Sequence, residues 1–142
     1  MTKIVAFTLA AALLSGTLLT ACDSATGGGP KKVVVNERIC QSGSFLRLSV
    51  NKEHRLVLDG HGGPQLKQLS LRLADFPMQI KGDIPPNSTI GDPLSTIVLV
   101  APEDKEDSVN LVPTNTGTYS ARCGLTYDEQ TQAKELAVQV VP

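Results

Sequence analysis

From residue 33 onward the chain alternates apolar and polar side chains in short runs, each closed by residues that favour turns. Val33-Val34-Val35 opens the region. Phe45 to Val50 then sets Leu46, Leu48 and Val50 on one side and Arg47 and Ser49 on the other, the period of a half-buried strand. Arg55 to Asp59 repeats this through Leu56 and Leu58, and Gly60-His61-Gly62-Gly63-Pro64 ends it. Gln68 to Leu73 alternates again, with Leu69, Leu71 and Leu73 inward. Pro77, Pro85, Pro86 and Pro93 interrupt the stretch from Phe76 to Leu94. That stretch is predicted as loop, with Met78-Gln79-Ile80 a short edge strand.

The last third carries the clearest pattern. Thr96 to Val100 is nearly continuous in apolar residues, Asp107 to Val112 alternates through Val109 and Leu111, and Thr118 to Cys123 places Tyr119, Ala121 and Cys123 on one face. Lys134 to Val141 aligns Leu136, Val138 and Val140. No window of helical period exceeds two turns, and Thr126 to Ala133 suits a single polar turn. About eight strands at this spacing predict one all-β domain over residues 33–142, an antiparallel Greek-key β-sandwich. Strand order is left open by the pattern.

The first residues follow another rule. Met1-Thr2-Lys3 is a brief positive start, and Ile4 to Leu19 is a largely apolar run, too short for a stable span and flanked as a secretory signal is. Leu19-Thr20-Ala21-Cys22 closes it and resembles the lipobox of bacterial lipoproteins, in which a branched apolar residue and two small ones precede a cysteine. The resemblance implies a signal peptide over residues 1–21, with Cys22 linked to diacylglycerol and acylated at its new amino terminus. Several acyl chains, at about 0.8 kcal/mol per buried methylene, hold a domain firmly to a bilayer. Asp23 resembles the signal that retains Gram-negative lipoproteins in the inner membrane. Residues 22–32 have no hydrophobic pattern, and Gly27-Gly28-Gly29 marks them as a lipidated flexible tether.

Charge narrows the function classes. The net charge is −1 and aromatic residues are 4% of the chain, so neither a basic footprint nor stacking platforms for nucleic acid are present. Gly-x-Ser-x-Gly is absent, and no nucleophile, base and orienting group can be assembled from the spacing, so no enzyme is expected. Glu103-Asp104-Lys105-Glu106-Asp107 reads as a solvated acidic loop.

A second resemblance enters at Pro113-Thr114-Asn115-Thr116-Gly117-Thr118-Tyr119-Ser120-Ala121-Arg122-Cys123. This run, with the valine-rich strand that follows, is similar to the end of a cupredoxin, where a proline turn leads to Gly-x-Tyr and a copper-binding cysteine four residues later. Asn51 to Leu58 is loosely similar to the strand that brings the family's first histidine, which maps onto His54. An immunoglobulin-like domain is the alternative, since a tyrosine before a core cysteine also marks that fold. The cupredoxin's second histidine and methionine follow within about ten residues of the cysteine, and a trigonal copper site needs two imidazoles and a thiolate. Gly124 to Ala133 contains neither residue type. The expectation is therefore no metal and no cofactor. The alternative is copper in a non-standard site of His54, Cys123 and His61, in a copper-binding or electron-transfer protein. His54, beside Glu53 and Arg55, otherwise reads as a surface histidine.

Cysteine arithmetic gives Cys123 a competing use. With Cys22 lipidated, Cys40 and Cys123 are an even pair in an oxidising compartment, and a disulfide between them is expected. The whole then reads as a lipoprotein at the cell membrane, facing the periplasm or exterior, and at the inner membrane in a Gram-negative cell. Its partners would be membrane lipid through Cys22 and a protein met by strand edges or loops.

Overall fold

A computed structural model describes residues 29–142; the signal segment, Cys22 and Asp23 lie outside the described residues. Eight strands and one short helix follow in the order β1 (Lys31–Val35), α1 (Glu37–Ser42), β2 (Leu46–Ser49), β3 (His54–Asp59), β4 (Gln68–Lys81), β5 (Leu94–Pro102), β6 (Glu106–Pro113), β7 (Gly117–Thr126) and β8 (Thr131–Val141). The fold is all-β. β1 begins at Lys31, so Lys31 and Lys32, expected in the tether, are paired strand residues opposite His54 and Arg55.

Hydrogen bonding runs in the order β1-β3-β6-β4-β7-β8-β2, with β5 added to β4. The long strand β4 belongs to two ladders. Its first half, Gln68–Leu73, lies between β5 and β7, while Met78–Lys81 pairs with β6. A register shift between Leu73 and Phe76, with Asp75 at φ 53°, bends the strand from one ladder to the other, as an extra residue in a strand does. The expected loop from Phe76 is thus corrected: the chain stays in strand through Pro77 to Lys81. Pro77 is tolerated because it follows the bulge and needs no N–H there, while its carbonyl accepts from Thr114 N–H at 2.9 Å.

Two pairings depart from the antiparallel expectation. β1 lies parallel to β3, and β2 parallel to β8. The physical reason is alternation of direction. Odd-numbered strands run one way and even-numbered strands the other, except that β4 turns back after its bulge and so pairs antiparallel with β6; β1 with β3, and β2 with β8, are therefore parallel. This follows once α1 carries the chain from β1 across to β2. Asn36 caps that helix by accepting from Ile39 N–H at 2.9 Å, and Gly43 ends it at φ 69°.

The core is aliphatic. Leu56, Leu58, Leu69, Leu71, Leu73, Leu99, Leu111 and Leu125 are all at 1% exposure or less, each at the inward position its strand's alternation assigns. Phe76, fully buried, packs edge-to-face with Tyr119, the ring centroids 4.9 Å apart. Tyr119 Oη donates to the carbonyl of Thr116 at 3.1 Å, tying the β6–β7 turn to the start of β7. Cys40 of α1 and Cys123 of β7 form the expected disulfide, both at 0% exposure, with Cα atoms 6.0 Å apart.

The direction rule also gives the body two unlike ends. Every odd-to-even connection lies at one end: α1, residues 60–67, residues 103–105 and residues 127–130. The even-to-odd turns lie at the other, where the chain enters β1 at Lys31 beside His54.

Candidate functional site at the loop-bearing end

At the end opposite the entry of β1, three of the four connections are stitched together by their backbones. Gly60 N–H donates to the carbonyl of Lys105 at 2.7 Å, and Asp104 N–H returns to the carbonyl of Gly60 at 3.2 Å. Glu103 N–H reaches the carbonyl of Lys67 at 2.9 Å, and Lys67 N–H that of Thr126 at 2.8 Å. A side chain at Gly60 would run into the carbonyl of Pro102, which is why the turn needs glycine there.

Glu37, from the first turn of α1, fastens two of these loops. Its Oε1 accepts from Gly63 N–H and its Oε2 from Tyr127 Oη, both at 2.7 Å. Gln41 Nε2, one turn along the same helix, donates to Tyr127 Oη at 2.7 Å. Burial, and then the carboxylate of Glu37, push the Tyr127 phenol above its ordinary range. Beside it lies an open cleft lined by Gln65, Tyr127, Asp128, Glu129, Gln130 and Gln132. Glu37 and Tyr127 escaped the sequence reading. The only signal available was Asn36 ahead of Glu37, a cap residue before an acidic first turn.

His61 projects from the same end and is exposed. Its ring Nδ1 lies 2.7 Å from Asp59 Oδ1, and its backbone N–H donates to that oxygen at 2.9 Å. The hydrogen bond to Asp59, reinforced by the charges of Asp59, Asp104 and Glu106, raises the imidazole's pKa. Asp59 feels burial pushing it upward, but the hydrogen bonds and charge of His61 prevail and hold its carboxyl below the usual value.

His54 lies at the other end, and it is a core residue at 1% exposure rather than the surface histidine expected. Its ring is held at both nitrogens: Nε2 accepts from Ser49 N–H at 3.1 Å, and Nδ1 donates to the carbonyl of Lys52 at 2.9 Å. Burial lowers its pKa. Parity carried this signal, because His54, Leu56 and Leu58 occupy alternate positions of one strand and so share its inner face.

These placements do not fit blue copper. The Cys123 sulfur is bonded to Cys40, both His54 nitrogens are engaged in the core, and His61 is paired with Asp59 at the opposite end of β3. The set His54, Cys123 and His61 is therefore not brought together, and a thiolate is not on offer.

No family model matches the sequence, and no curated protein matches it. Among solved structures the chain is similar to auracyanin B, at 16% identity and TM-score 0.49, over 82% of this chain and 94% of that one. It is also similar to the cysteine protease inhibitor EhICP2 from Entamoeba histolytica, at 13% identity and TM-score 0.40, over 80% and 99% of the two chains. A third likeness, to PbICP-C in a complex with falcipain-2, has 13% identity and TM-score 0.36, over 80% and 92%. At these identities the likeness concerns the β fold, and no residue role is carried from them.

Proposed function

We propose that the protein is a bacterial lipoprotein, anchored through acylated Cys22, that presents a non-enzymatic binding module to a protein partner outside the cytoplasm. The finer architecture proposed is a cupredoxin-like Greek-key sandwich without the copper site. Its support is two ladders sharing β4 around one aliphatic core, with the cysteine of the penultimate strand committed to a bridge. The buried disulfide favours an oxidising compartment. A non-enzymatic role is favoured because, among the described residues, both imidazoles bond to backbone or to Asp59 and neither touches a hydroxyl or thiol side chain.

The observation that carries the reading is the polarity of the body. The chain enters β1 at Lys31, and β1 runs parallel to β3 towards Asp59, so the entry of the chain is at one end and the stitched loops at the other; an anchor upstream would be attached on the entry side. An anchored domain of this build holds the Gly60–Gly63 loop, the Glu103–Lys105 turn and the Tyr127–Gln130 turn away from the bilayer. Loops fixed on a rigid sheet are where recognition residues are placed most economically.

Two measurements test this. Cells fed an alkyne fatty acid should label wild type and deliver it to the membrane fraction, whereas Cys22→Ser should be unlabelled and released; a variant still labelled and sedimented removes the anchor. A photoreactive residue at Gln130 should form a discrete adduct in cells, and one at Asn115, in the turn at the anchor end, should not. Adducts from position 115 alone would reverse the orientation.

A further inference from the structure

Asp59 ends β3 and Glu106 begins β6, and the two are direct cross-strand partners in an antiparallel ladder. Like charges placed directly opposite destabilise a strand pair. Here the arrangement is not an accident of long side chains, because the backbones of both segments are pinned: Gly60 and Lys105 are hydrogen-bonded at 2.7 Å, and Gly60 and Asp104 at 3.2 Å. The Asp59 carboxylate is partly buried, Glu106 is exposed, and Asp104 adds a third negative charge near His61. Lys32 offsets part of this from the neighbouring strand β1. The fold therefore concentrates carboxylates at one corner and aims an imidazole into it.

The ligand atoms of Asp59, His61 and Glu106 all lie within 4.8 Å of one another. A zinc-like ion with bonds of about 2.0–2.2 Å needs its donors roughly 3.3–3.6 Å apart in a tetrahedral arrangement. Asp59 and His61 already meet at 2.7 Å, so a small rotation of His61 and a rotamer change of exposed Glu106 suffice to admit an ion. The donor chemistry selects the class of ion. Calcium and magnesium take oxygen ligands, whereas one imidazole with two carboxylates suits zinc and its transition-metal neighbours.

We propose that Asp59, His61 and Glu106 form a binding site for a divalent transition ion of the zinc class at the β3–β6 corner. The ion takes the place of the proton shared by His61 and Asp59 and neutralises the Asp59–Glu106 pair across the ladder. Three protein donors leave a further coordination position to water. The site is distinct from the histidine–cysteine set considered for copper, sharing only His61 with it. It does not depend on the lipid anchor.

Calorimetric titration of the full chain in detergent with ZnCl2, after chelator treatment, tests the proposal. One ion per chain is expected. His61→Ala and Glu106→Gln should each weaken binding roughly tenfold or more, a loss at least as large as removing an outer-shell partner causes. Glu53→Gln, just before β3 at the end opposite Asp59, should bind as wild type does. In NMR spectra of the same samples, zinc should move the ring resonances of His61 and leave those of His54 in place. Circular dichroism melts without metal separate misfolding from lost ligation, and Asp59→Asn, which keeps the shape and the hydrogen-bond acceptor, serves if either variant unfolds. Absence of saturable binding, or binding unchanged in both His61→Ala and Glu106→Gln, overturns the site.

Discussion

Cys40 and Cys123 stand 83 residues apart in the chain and are joined across the core with their Cα atoms 6.0 Å from each other. The bridge connects the only helix among the described residues to the strand that lies between β4 and β8. A closed loop of that length removes conformational freedom from the unfolded chain worth about 4.5 kcal/mol in the chain-entropy account. That is a large part of the roughly 5–15 kcal/mol a domain has in total. Cys40→Ala with Cys123→Ala should therefore lower the unfolding free energy by about 4 kcal/mol in urea. Reductant should reproduce the loss in wild type and do nothing further to the double variant. Two thiols alkylated in native, unreduced protein would contradict the bridge.

His54 predicts a pH dependence whose sign follows from its burial. Its folded pKa lies below the ordinary value of 6.5, so the unfolded chain takes up the proton more readily than the folded one. The stabilising share of the neutral ring is complete above about pH 6.5 and is lost as the pH falls through the lower folded value. His61, whose pKa is raised, contributes in the opposite sense: its share is complete below its unfolded pKa and fades as pH rises. Comparing wild type with His54→Gln cancels His61. The stability advantage of wild type should be constant from pH 7 to 8 and shrink towards pH 5, read from urea midpoints at each pH. An advantage that grows on acidification would show that the ring is not buried neutral.

Strand positions were legible where one face of a strand is buried and the other wet. Leu46 and Leu48, Leu69 to Leu73, and Leu136 to Val140 all point inward as their spacing indicates. The disulfide was legible too, because reading Cys22 as lipidated leaves Cys40 and Cys123 as a pair. The continuation of β4 through Pro77 was not, since a bulge restores the pairing that proline would break, and a bulge has no sequence signature beyond a residue that tolerates positive φ, here Asp75. Parallel pairing of β1 and β2 was hidden for another reason. It depends on where α1 drops the chain, and six helical residues carry almost no periodicity. The candidate site shows the same limit. Asp59 and His61 are neighbours in sequence, but Glu106 joins them only through the β3–β6 register, and Glu37 meets Gly63 and Tyr127 only because α1 lies across that end.

Gly60 and Gly63 share one loop, and they should respond differently to alanine. A Cβ on Gly60 would collide with the Pro102 carbonyl and lie 2.7 Å from that of Lys105, both backbone atoms held in the adjoining turn. A Cβ on Gly63 meets only Glu37 Oε1, at an ordinary 3.5 Å. Gly60→Ala should cost about 1–3 kcal/mol, as overpacking does. Gly63→Ala should be neutral or slightly stabilising, because it restricts the unfolded chain. Thermal melts of the two variants check this, and equal melting temperatures would mean that the close approach of the loop to the β5–β6 turn is not maintained.

Glu37 and Tyr127, 90 residues apart, hold the helix to the β7–β8 turn through one hydrogen bond of 2.7 Å. Tyr127→Phe removes the hydroxyl while keeping the ring, and Glu37→Gln keeps the shape while removing the charge. Each should cost roughly 1–2 kcal/mol, the range for a hydrogen bond with one ionised partner. The two losses should not add. Residues in direct contact couple by about 0.5–3 kcal/mol, so the double variant should be appreciably more stable than the summed single losses indicate. Gln41 still donates to the tyrosine oxygen in Glu37→Gln, which keeps that single loss towards the lower end of the range. Tyr127→Phe, which loses both partners of the oxygen, should fall at the upper end. Additive losses in urea unfolding would mean that the two side chains act on the fold separately.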